Sequence, residues 1–181
     1  MTCLILIGMM GAGKTTVGRE LARRRNVRFA DCDHELAART GVSIPTIFDI
    51  EGEAGFRQRE AKMLADLAAE PDIVIATGGG VVLSAQNRAL LARSGVVIYL
   101  DVPPHILYER TRYDRNRPLL QVENPRERIA ELHRQRDPLY REVADIVVRG
   151  ERGGYAAMAN QIEKALAGFG DKTSCHPPCT P

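Results

Sequence analysis

The sequence lacks any run of about 18 consecutive apolar residues, and this excludes a membrane-spanning helix. It also lacks a strong excess of either charge. Its 25 Lys and Arg residues face 23 Asp and Glu residues, a net charge of +2, so neither nucleic acid nor a membrane surface is an expected partner. No basic stretch and long apolar segment of a secretory signal stands at the start, and we expect a cytoplasmic protein. Lysine is scarce, with 4 residues against 21 arginines, so one arginine alone indicates little.

Cysteine is too sparse to form a disulfide framework. Cys3 and Cys32 lie in or next to predicted strands, and we expect both to be reduced. Cys175 and Cys179 flank His176 near the end of the chain, where a metal site would need further ligands and an ordered segment. We therefore predict a frayed tail over residues 169–181, with no assigned role.

The remaining 168 residues have the length and apolar content of one domain, because 44% of the chain is hydrophobic. Short β-branched runs predict five buried strands, and periodic apolar positions predict six helices between and after them. The strands are predicted at 3–7, 27–30, 73–76, 96–100 and 146–148, and the helices at 15–25, 53–69, 85–93, 105–112, 126–140 and 155–166. Such alternation predicts an α/β fold with a parallel sheet covered on both faces, and ligands at the carboxyl ends of the strands.

Two stretches interrupt this alternation. Residues 33–70 contain more helix than one crossover needs, and residues 111–124 are polar, rich in arginine and without a core pattern. We interpret residues 33–61 as an inserted substrate-binding subdomain and residues 111–124 as a lid over the site.

The most specific motif is Gly-Met-Met-Gly-Ala-Gly-Lys-Thr at residues 8–15, a complete phosphate-binding loop directly after the first strand. A strand that leads through such a loop into a helix collects unpaired backbone N–H groups at the positive end of the helix dipole. Lys14 can reach the β- and γ-phosphates of a nucleotide, and the Thr15 hydroxyl is placed to bind Mg²⁺.

Two carboxylates, Asp31 and Asp33, end the second strand. The two-residue period of a strand predicts that both side chains lie on one face. One of them can hold Mg²⁺ through water, and the other can orient or deprotonate an attacking hydroxyl. The alternative is that Asp33 caps a helix that begins at His34.

Three glycines, residues 78–80, follow Thr77 at the end of the third strand. Consecutive glycines are costly to order, so we expect another group to approach this backbone closely; the alternative is a flexible turn. Arg57 and Glu60 lie one helical turn apart, and a guanidinium held in this way suits a substrate carboxylate. The alternative for this pair is an exposed ion pair of little energy.

Three further residues are candidates of lower specificity. Arg117 begins the sequence Arg-Pro-Leu-Leu, typical of a lid tip that docks. Arg136 stands two residues before Pro138, which should end the predicted helix. Asp101 follows an apolar strand, as the second carboxylate of nucleotide-binding proteins does, and it competes with Asp31 as the metal-binding carboxylate; the spacing leaves this open.

Taken together, these motifs resemble those of the shikimate kinase family from Leu4 to about Leu166. The likeness depends on six motifs in order: the loop ending Gly-Lys-Thr-Thr, Asp-x-Asp, Phe-Arg-x-x-Glu, Gly-Gly-Gly, Arg-Pro-Leu-Leu and Arg-x-x-x-Tyr. It implies a three-layer P-loop kinase fold whose five parallel strands follow the order 2-3-1-4-5. It also implies transfer of the ATP γ-phosphate to the 3-hydroxyl of shikimate, a step toward chorismate and the aromatic amino acids.

The resemblance implies a role for each matching residue. ATP would be bound by Gly11, Ala12, Gly13, Lys14, Thr15 and Thr16, with Arg110 on the adenine and Gly153 near it. One Mg²⁺ would be held by Thr15 directly and by Asp31 through water, and Thr77 in place of the usual third-strand aspartate favours Asp31 over Asp101. Shikimate would be bound by Asp33, Arg57, Gly79, Gly80 and Arg136. Lys14, Asp33 as the base and Arg117 would act in catalysis.

Two other functions remain possible from the sequence. One is another small-molecule P-loop kinase, such as a gluconate or nucleotide kinase, and the other is a non-catalytic relative that binds nucleotide. The second is disfavoured because Lys14, Thr15, Asp31 and Asp33 are all present. The absence of an evident exposed apolar stripe favours a monomer.

Overall fold

The computed structural model describes residues 3–114, 120–150 and 154–168. Its elements in chain order are β1 (Leu4–Ile7), α1 (Lys14–Arg25), β2 (Arg28–Asp31), α2 (Cys32–Thr40), α3 (Ile44–Ala68), β3 (Ile73–Ala76), α4 (Ala85–Ser94), β4 (Val96–Asp101), α5 (Pro104–Thr111), α6 (Pro125–Val143), β5 (Ile146–Arg149) and α7 (Gly154–Ala167). A single 3₁₀ turn, Val81–Leu83, precedes α4.

All five strands pair in parallel in the order β2-β3-β1-β4-β5, which confirms the predicted sheet. In the centre of the sheet, Leu6 of β1 stands opposite Ala76 of β3 and Ile98 of β4. From β1 the chain first moves to β2 at one edge of the sheet, and after β3 it crosses β1 to reach β4 on the other side. That reversal of direction is where a sheet of this type opens a crevice for ligands.

The direction of each crossover decides which face each helix covers. Across the sheet, the connection from β1 to β2 moves toward one edge, and the three later connections move toward the other edge. Because all of these crossovers are right-handed, α1 lies on one face of the sheet, and α3, α4 and α6 lie on the other. The contacts agree with this assignment, because α1 packs on α7, whereas α4 contacts both α3 and α6. Three layers result, as the sequence predicts.

Burial differs between the centre and the edges of the sheet. Every residue of β1 and β3 is buried, and so is β4 except for its last residue, because helices cover both faces there. The edge strand β5 alternates instead between buried and exposed residues, and β2 is only partly buried. The prediction of five fully buried strands is therefore wrong for the two edges, where one side has no neighbouring strand.

The helices differ from prediction mainly between residues 32 and 52. The helix α2 is formed there, and α3 begins at Ile44 rather than at Glu53. Gly52, with φ of 69°, breaks α3 immediately before the predicted start, so the prediction describes its second segment. Within the described residues, none of the helices combines the length and the apolar character that crossing a membrane needs.

The expectation that Pro138 ends its helix is also wrong. The helix α6 continues through Pro138 to Val143. A proline inside a helix removes one backbone hydrogen bond and crowds the preceding turn. The residues beyond it, Tyr140 and Val143, are buried against the sheet and its helices, and their packing outweighs that local cost.

Candidate active site

The loop between β1 and α1 forms one wall of the site. Gly11 and Gly13 have φ of 81° and 97°, a left-handed conformation that favours glycine. Gly13 precedes α1 without a side-chain cap, so the first N–H groups of α1 face the loop as an anion-binding end. The ammonium group of Lys14 is buried and donates to the carbonyl oxygens of Gly8 (2.7 Å) and Met9 (2.9 Å), which holds the lysine against its own loop.

A cavity of about 360 Å³ opens at the carboxyl ends of β1, β2 and β3. The lining residues come from the phosphate-binding loop and the start of α1, the end of β2 and the start of α2, the glycine loop, and the helices α5 and α7: Met10, Gly11, Gly13, Lys14, Thr15, Thr16, Asp31, Asp33, Thr77, Gly78, Gly79, Arg110, Thr111 and Tyr155. The fold therefore brings most of the sequence-predicted site residues to one place. Ala12 is fully buried beneath the phosphate-binding loop, and Gly80, Arg57 and Arg136 are not among the lining residues, although both arginines contact the glycine loop.

Asp31 joins the phosphate-binding loop to the start of α2. One carboxylate oxygen accepts from the Thr15 hydroxyl at 2.6 Å, and the other accepts from the backbone N–H groups of Asp33 (3.1 Å) and His34 (3.3 Å). Asp31 is thus the cap of α2, and the prediction that Asp33 caps a helix from His34 is wrong by two residues. The Thr15 hydroxyl and the Asp31 carboxylate therefore place two oxygen atoms side by side, both of which could coordinate a metal ion.

Asp33 lies in the first turn of α2, not in the strand, so the shared-face argument from strand geometry is wrong. The side chains of Asp31 and Asp33 still reach one cavity, because the chain turns into α2 at Cys32. A methyl group added to Gly78 would stand 3.3 Å from an Asp33 carboxylate oxygen. The carboxylate therefore faces the glycine loop across the cavity.

The glycine loop is closely approached by charged side chains of the protein itself. A Cβ on Gly80 would overlap the guanidinium of Arg57, and one on Gly78 would overlap the carboxylate of Glu60. At the start of the loop, the Thr77 hydroxyl donates to the carbonyl of Leu6 at 3.0 Å and ties the loop to β1. The expected close approach is therefore made by side chains of α3.

Arg57 and Glu60 form an ion pair between a partly buried guanidinium and a buried carboxylate rather than an exposed pair. Their groups are 2.8 Å apart, and Glu60 is only 1% exposed. Burial raises the pKa of Glu60 above its ordinary value of 4.5, and the attraction of Arg57 only partly opposes that rise. Sequence spacing alone could not show this burial, which α3 acquires by packing on α2, α4 and β3.

Arg136 reaches the glycine loop from α6. Its guanidinium is 3% exposed and donates to the Gly79 carbonyl at 3.1 Å, and the hydroxyl of Tyr140 donates to the same oxygen. The Nε groups of Arg57 and Arg136 are buried, and neither has a hydrogen-bond partner within the described ranges. Unpaired guanidinium N–H groups in a buried place are costly unless an anion joins them.

Arg110 and Tyr155 border the outer end of the cavity. The Arg110 guanidinium donates to the carbonyls of Gly11 (3.2 Å) and Ala12 (3.3 Å) and lies 5.0 Å from the centre of the Tyr155 ring. A Cβ on Gly13 would overlap that ring. Sequence reasoning missed Tyr155, because no local motif places the start of the last helix against the first loop.

Asp101, the competing carboxylate, is engaged elsewhere. It ends β4, which is an inner strand rather than an edge, and it forms an ion pair with Arg141 at 2.6 Å. It is not among the residues that line the cavity. Arg117, Gly153 and the tail with Cys175 and Cys179 fall on residues 115–119, 151–153 and 169–181, which lie outside the described residues.

The raised pKa of Glu60 predicts a pH dependence of stability. A carboxyl group whose pKa is higher in the folded than in the unfolded state loses stability as the pH rises above the unfolded value of 4.5. Glu60→Gln mimics the neutral form, so we expect its unfolding free energy, relative to the wild type, to increase with pH above about 4.5 in urea titrations.

Glu53→Gln is the matched control, because it removes the solvent-exposed partner of the same guanidinium. We expect the unfolding free energy relative to the wild type to increase with pH in Glu60→Gln and to show no such increase in Glu53→Gln. A relative stability of Glu60→Gln that falls with rising pH would show that attraction to Arg57, rather than burial, dominates at Glu60.

Comparison with known proteins agrees with this geometry. The shikimate kinase family model matches residues 10–167. A shikimate kinase of Aromatoleum aromaticum is 64% identical over 173 residues, covering 96% of this chain and 99% of that protein. One from Dechloromonas aromatica is 64% identical over 147 residues, covering 81% and 80%. A solved structure, shikimate kinase from Acinetobacter baumannii in complex with shikimate, has a TM-score of 0.92 at 45% identity over 95% of this chain and 96% of that one. The chain therefore belongs to the shikimate kinase family and has its P-loop kinase fold.

Proposed function

We propose that this cavity transfers the γ-phosphate of ATP to the 3-hydroxyl of shikimate, giving shikimate 3-phosphate and ADP on the way to chorismate. The observation that carries the proposal is the pair of guanidinium groups of Arg57 and Arg136, whose buried Nε donors are unpaired among the described residues and which contact a glycine loop that faces the phosphate-binding loop. A carboxylate-bearing acceptor would satisfy those donors. A structural relative at 45% identity is described as a complex with shikimate, which supports this acceptor.

The nucleotide is assigned to the wall formed by residues 11–16. The N–H groups at the start of α1 and the ammonium of Lys14 would surround the β- and γ-phosphates. Arg110 would stack on the adenine, in keeping with its place at the outer end of the cavity. We also propose that Gly153 lies beside the adenine, and this proposal is based on the sequence alone.

The acceptor is assigned to the opposite wall. Arg57 and Arg136 would bind the carboxylate of shikimate, and the backbone of Gly79 and Gly80 would contact its ring substituents. Arg57 is paired with the buried Glu60 and the exposed Glu53, whereas Arg136 is buried and donates to the neutral Gly79 carbonyl, so an anionic acceptor would add a counter-charge beside Arg136. Asp33 would bind the reacting hydroxyl and accept its proton as the γ-phosphate is transferred.

A divalent cation fits the oxygen donors of Thr15 and Asp31. A hydroxyl oxygen and a carboxylate oxygen 2.6 Å apart are hard ligands of the kind Mg²⁺ prefers. We propose that Thr15 binds one Mg²⁺ directly and that Asp31 holds it through water. When bound, Mg²⁺ neutralises phosphate charge.

Three further assignments complete the proposal. Residues 33–61 would form the substrate-binding subdomain, and residues 111–124 would close as a lid that excludes water from the phosphoryl group. Arg117 in that lid would neutralise charge on the transferring group. We also propose a cytoplasmic monomer; the free thiols of Cys3 and Cys32 agree with a reducing compartment.

The acceptor can be tested with a panel of alcohols. In an assay coupled to ADP release, we expect turnover with shikimate and none above background with gluconate or nucleoside monophosphates. Turnover with one of the latter instead would favour another P-loop kinase, and binding of ATP without turnover on any acceptor would favour a non-catalytic relative.

Substitution of Arg57 should affect the acceptor and spare the nucleotide. We expect Arg57→Ala to raise the KM for shikimate by about 10- to 100-fold, because hydrogen bonds to charged groups contribute ~1.5–3 kcal/mol, while the KM for ATP stays within about twofold. Arg57→Lys keeps a positive charge beside Glu60 and should share the defect because it lacks the planar fork.

Arg59→Ala is the matched control. Arg59 lies two residues away on the same helix and is paired with Glu51 at the surface. Its kinetics should equal those of the wild type. An equal loss for both substrates in Arg57→Ala and Arg57→Lys would contradict the assignment of Arg57 to the acceptor.

Substitution of Asp31 separates its metal role from its capping role. Asparagine is as good a helix cap as aspartate but lacks the negative charge. We expect Asp31→Asn to need about fivefold or more Mg²⁺ for half-maximal activity, with the unfolding free energy changed by less than about 1 kcal/mol. An unchanged Mg²⁺ titration would remove Asp31 from the metal site.

A further inference from the structure

The carbonyl of Gly79 is held by two side chains of one helix. Arg136 Nη1 donates to this oxygen at 3.1 Å, and the hydroxyl of Tyr140 donates to it as well. The two residues are four apart on α6 and therefore project from the same face. A carbonyl oxygen has two lone pairs, so these donors use its full accepting capacity.

Fixing this carbonyl also fixes the next N–H group. The C=O of Gly79 and the N–H of Gly80 belong to one planar trans peptide unit and point in opposite directions. Glycines restrict their own backbone least of all residues, so the orientation of this unit must be imposed from outside. The neighbouring carbonyls of Gly78 and Gly80 instead accept from the backbone of Val81 (3.3 Å) and Leu83 (3.0 Å).

The ring of Tyr140 is well placed to impose that orientation. It is fully buried and stacks on Tyr99, with ring centres 4.9 Å apart and planes 25° from parallel. The Tyr99 hydroxyl in turn donates to Asp137 at 2.9 Å, and Arg141 lies over the Tyr99 ring at 5.5 Å. Burial raises the pKa of Tyr140 far above neutrality, so its hydroxyl remains a donor.

We propose that Tyr140 is a positioning residue for the acceptor: through the Gly79 carbonyl it orients the Gly79–Gly80 peptide, whose N–H group then meets shikimate in a preset direction. The inference rests on the proposed function of the glycine loop. Tyr140 itself need not touch the substrate. Its hydroxyl lowers the cost of ordering a glycine backbone when the acceptor binds.

The test compares two variants that each remove one buried hydroxyl from the same aromatic stack. Tyr140→Phe deletes the donor to Gly79, and Tyr99→Phe deletes only the donor to Asp137 at the far side of the stack. Calorimetric titration with shikimate and, separately, with ADP gives both affinities for each variant. We expect Tyr140→Phe to weaken shikimate binding by about 3- to 10-fold, the effect of one neutral hydrogen bond, with ADP binding within about twofold of the wild type.

Tyr99→Phe should leave both affinities within about twofold of the wild type. The Gly80 amide resonance, observed in glycine-labelled protein, should shift in Tyr140→Phe and not in Tyr99→Phe. If Tyr140→Phe fails to fold, Tyr140→Met, which also lacks the donor but adapts its shape, should reproduce the selective loss.

Equal shikimate affinity in Tyr140→Phe and Tyr99→Phe, or an equal loss for shikimate and ADP, would overturn the positioning role while leaving the kinase assignment intact. A wild-type enzyme that binds ADP but neither binds nor phosphorylates shikimate would overturn the proposed function, and the role of Tyr140 with it.

Discussion

Parallel pairing of β1, β2 and β3 is the constraint on which the site depends. Because β1, β2 and β3 run in the same direction, their carboxyl ends meet at one edge of the sheet. The phosphate-binding loop and the glycine loop follow β1 and β3, and the two aspartates lie at the end of β2 and in the first turn of α2, so the sheet gathers them without any long loop having to be ordered. Hydrogen bonds then join these segments: Thr15 at the start of α1 donates to Asp31 at the end of β2, and Thr77 at the start of the glycine loop donates to Leu6 of β1.

Charge distribution divides the site into two walls with different physics. On the proposed nucleotide wall, positive potential comes from backbone N–H groups, a helix end and one buried lysine, all of which lie in the loop and at the start of α1. On the proposed acceptor wall it comes from Arg57, which is paired with Glu60 and Glu53, and from the buried Arg136, which donates to a neutral carbonyl. A buried carboxylate whose pKa is raised and guanidinium groups with unpaired donors are unfavourable for stability. A charged ligand that binds to these guanidinium groups would offset this cost in stability.

Runs of apolar residues predicted the bounds of the strands to within about one residue. Glycine motifs predicted the loops between them, because both kinds of pattern reflect local backbone geometry. They failed where packing overrides local preference. Pro138 lies inside α6 because Tyr140 and Val143 are buried beyond it, and Asp31 rather than Asp33 caps α2 because the chain turns one residue after the strand. The partial exposure of the edge strands β2 and β5 was not predicted, because a strand's position in the sheet depends on which strands pair with it, and its own sequence does not specify them.

By itself the sequence determined the fold class, the phosphate-binding loop, the order of the polar residues along the chain and, through the six motifs, the family. Tertiary structure alone decided that Glu60 is buried, that Tyr155 lies on Gly13, and that Arg136 and Tyr140 hold the carbonyl of Gly79. Arg136 and Gly79 are 57 residues apart in the chain. Contacts over such separations depend on how whole helices pack on the sheet, and hydrophobic periodicity sets which face of a helix is buried but not which side chains it meets there.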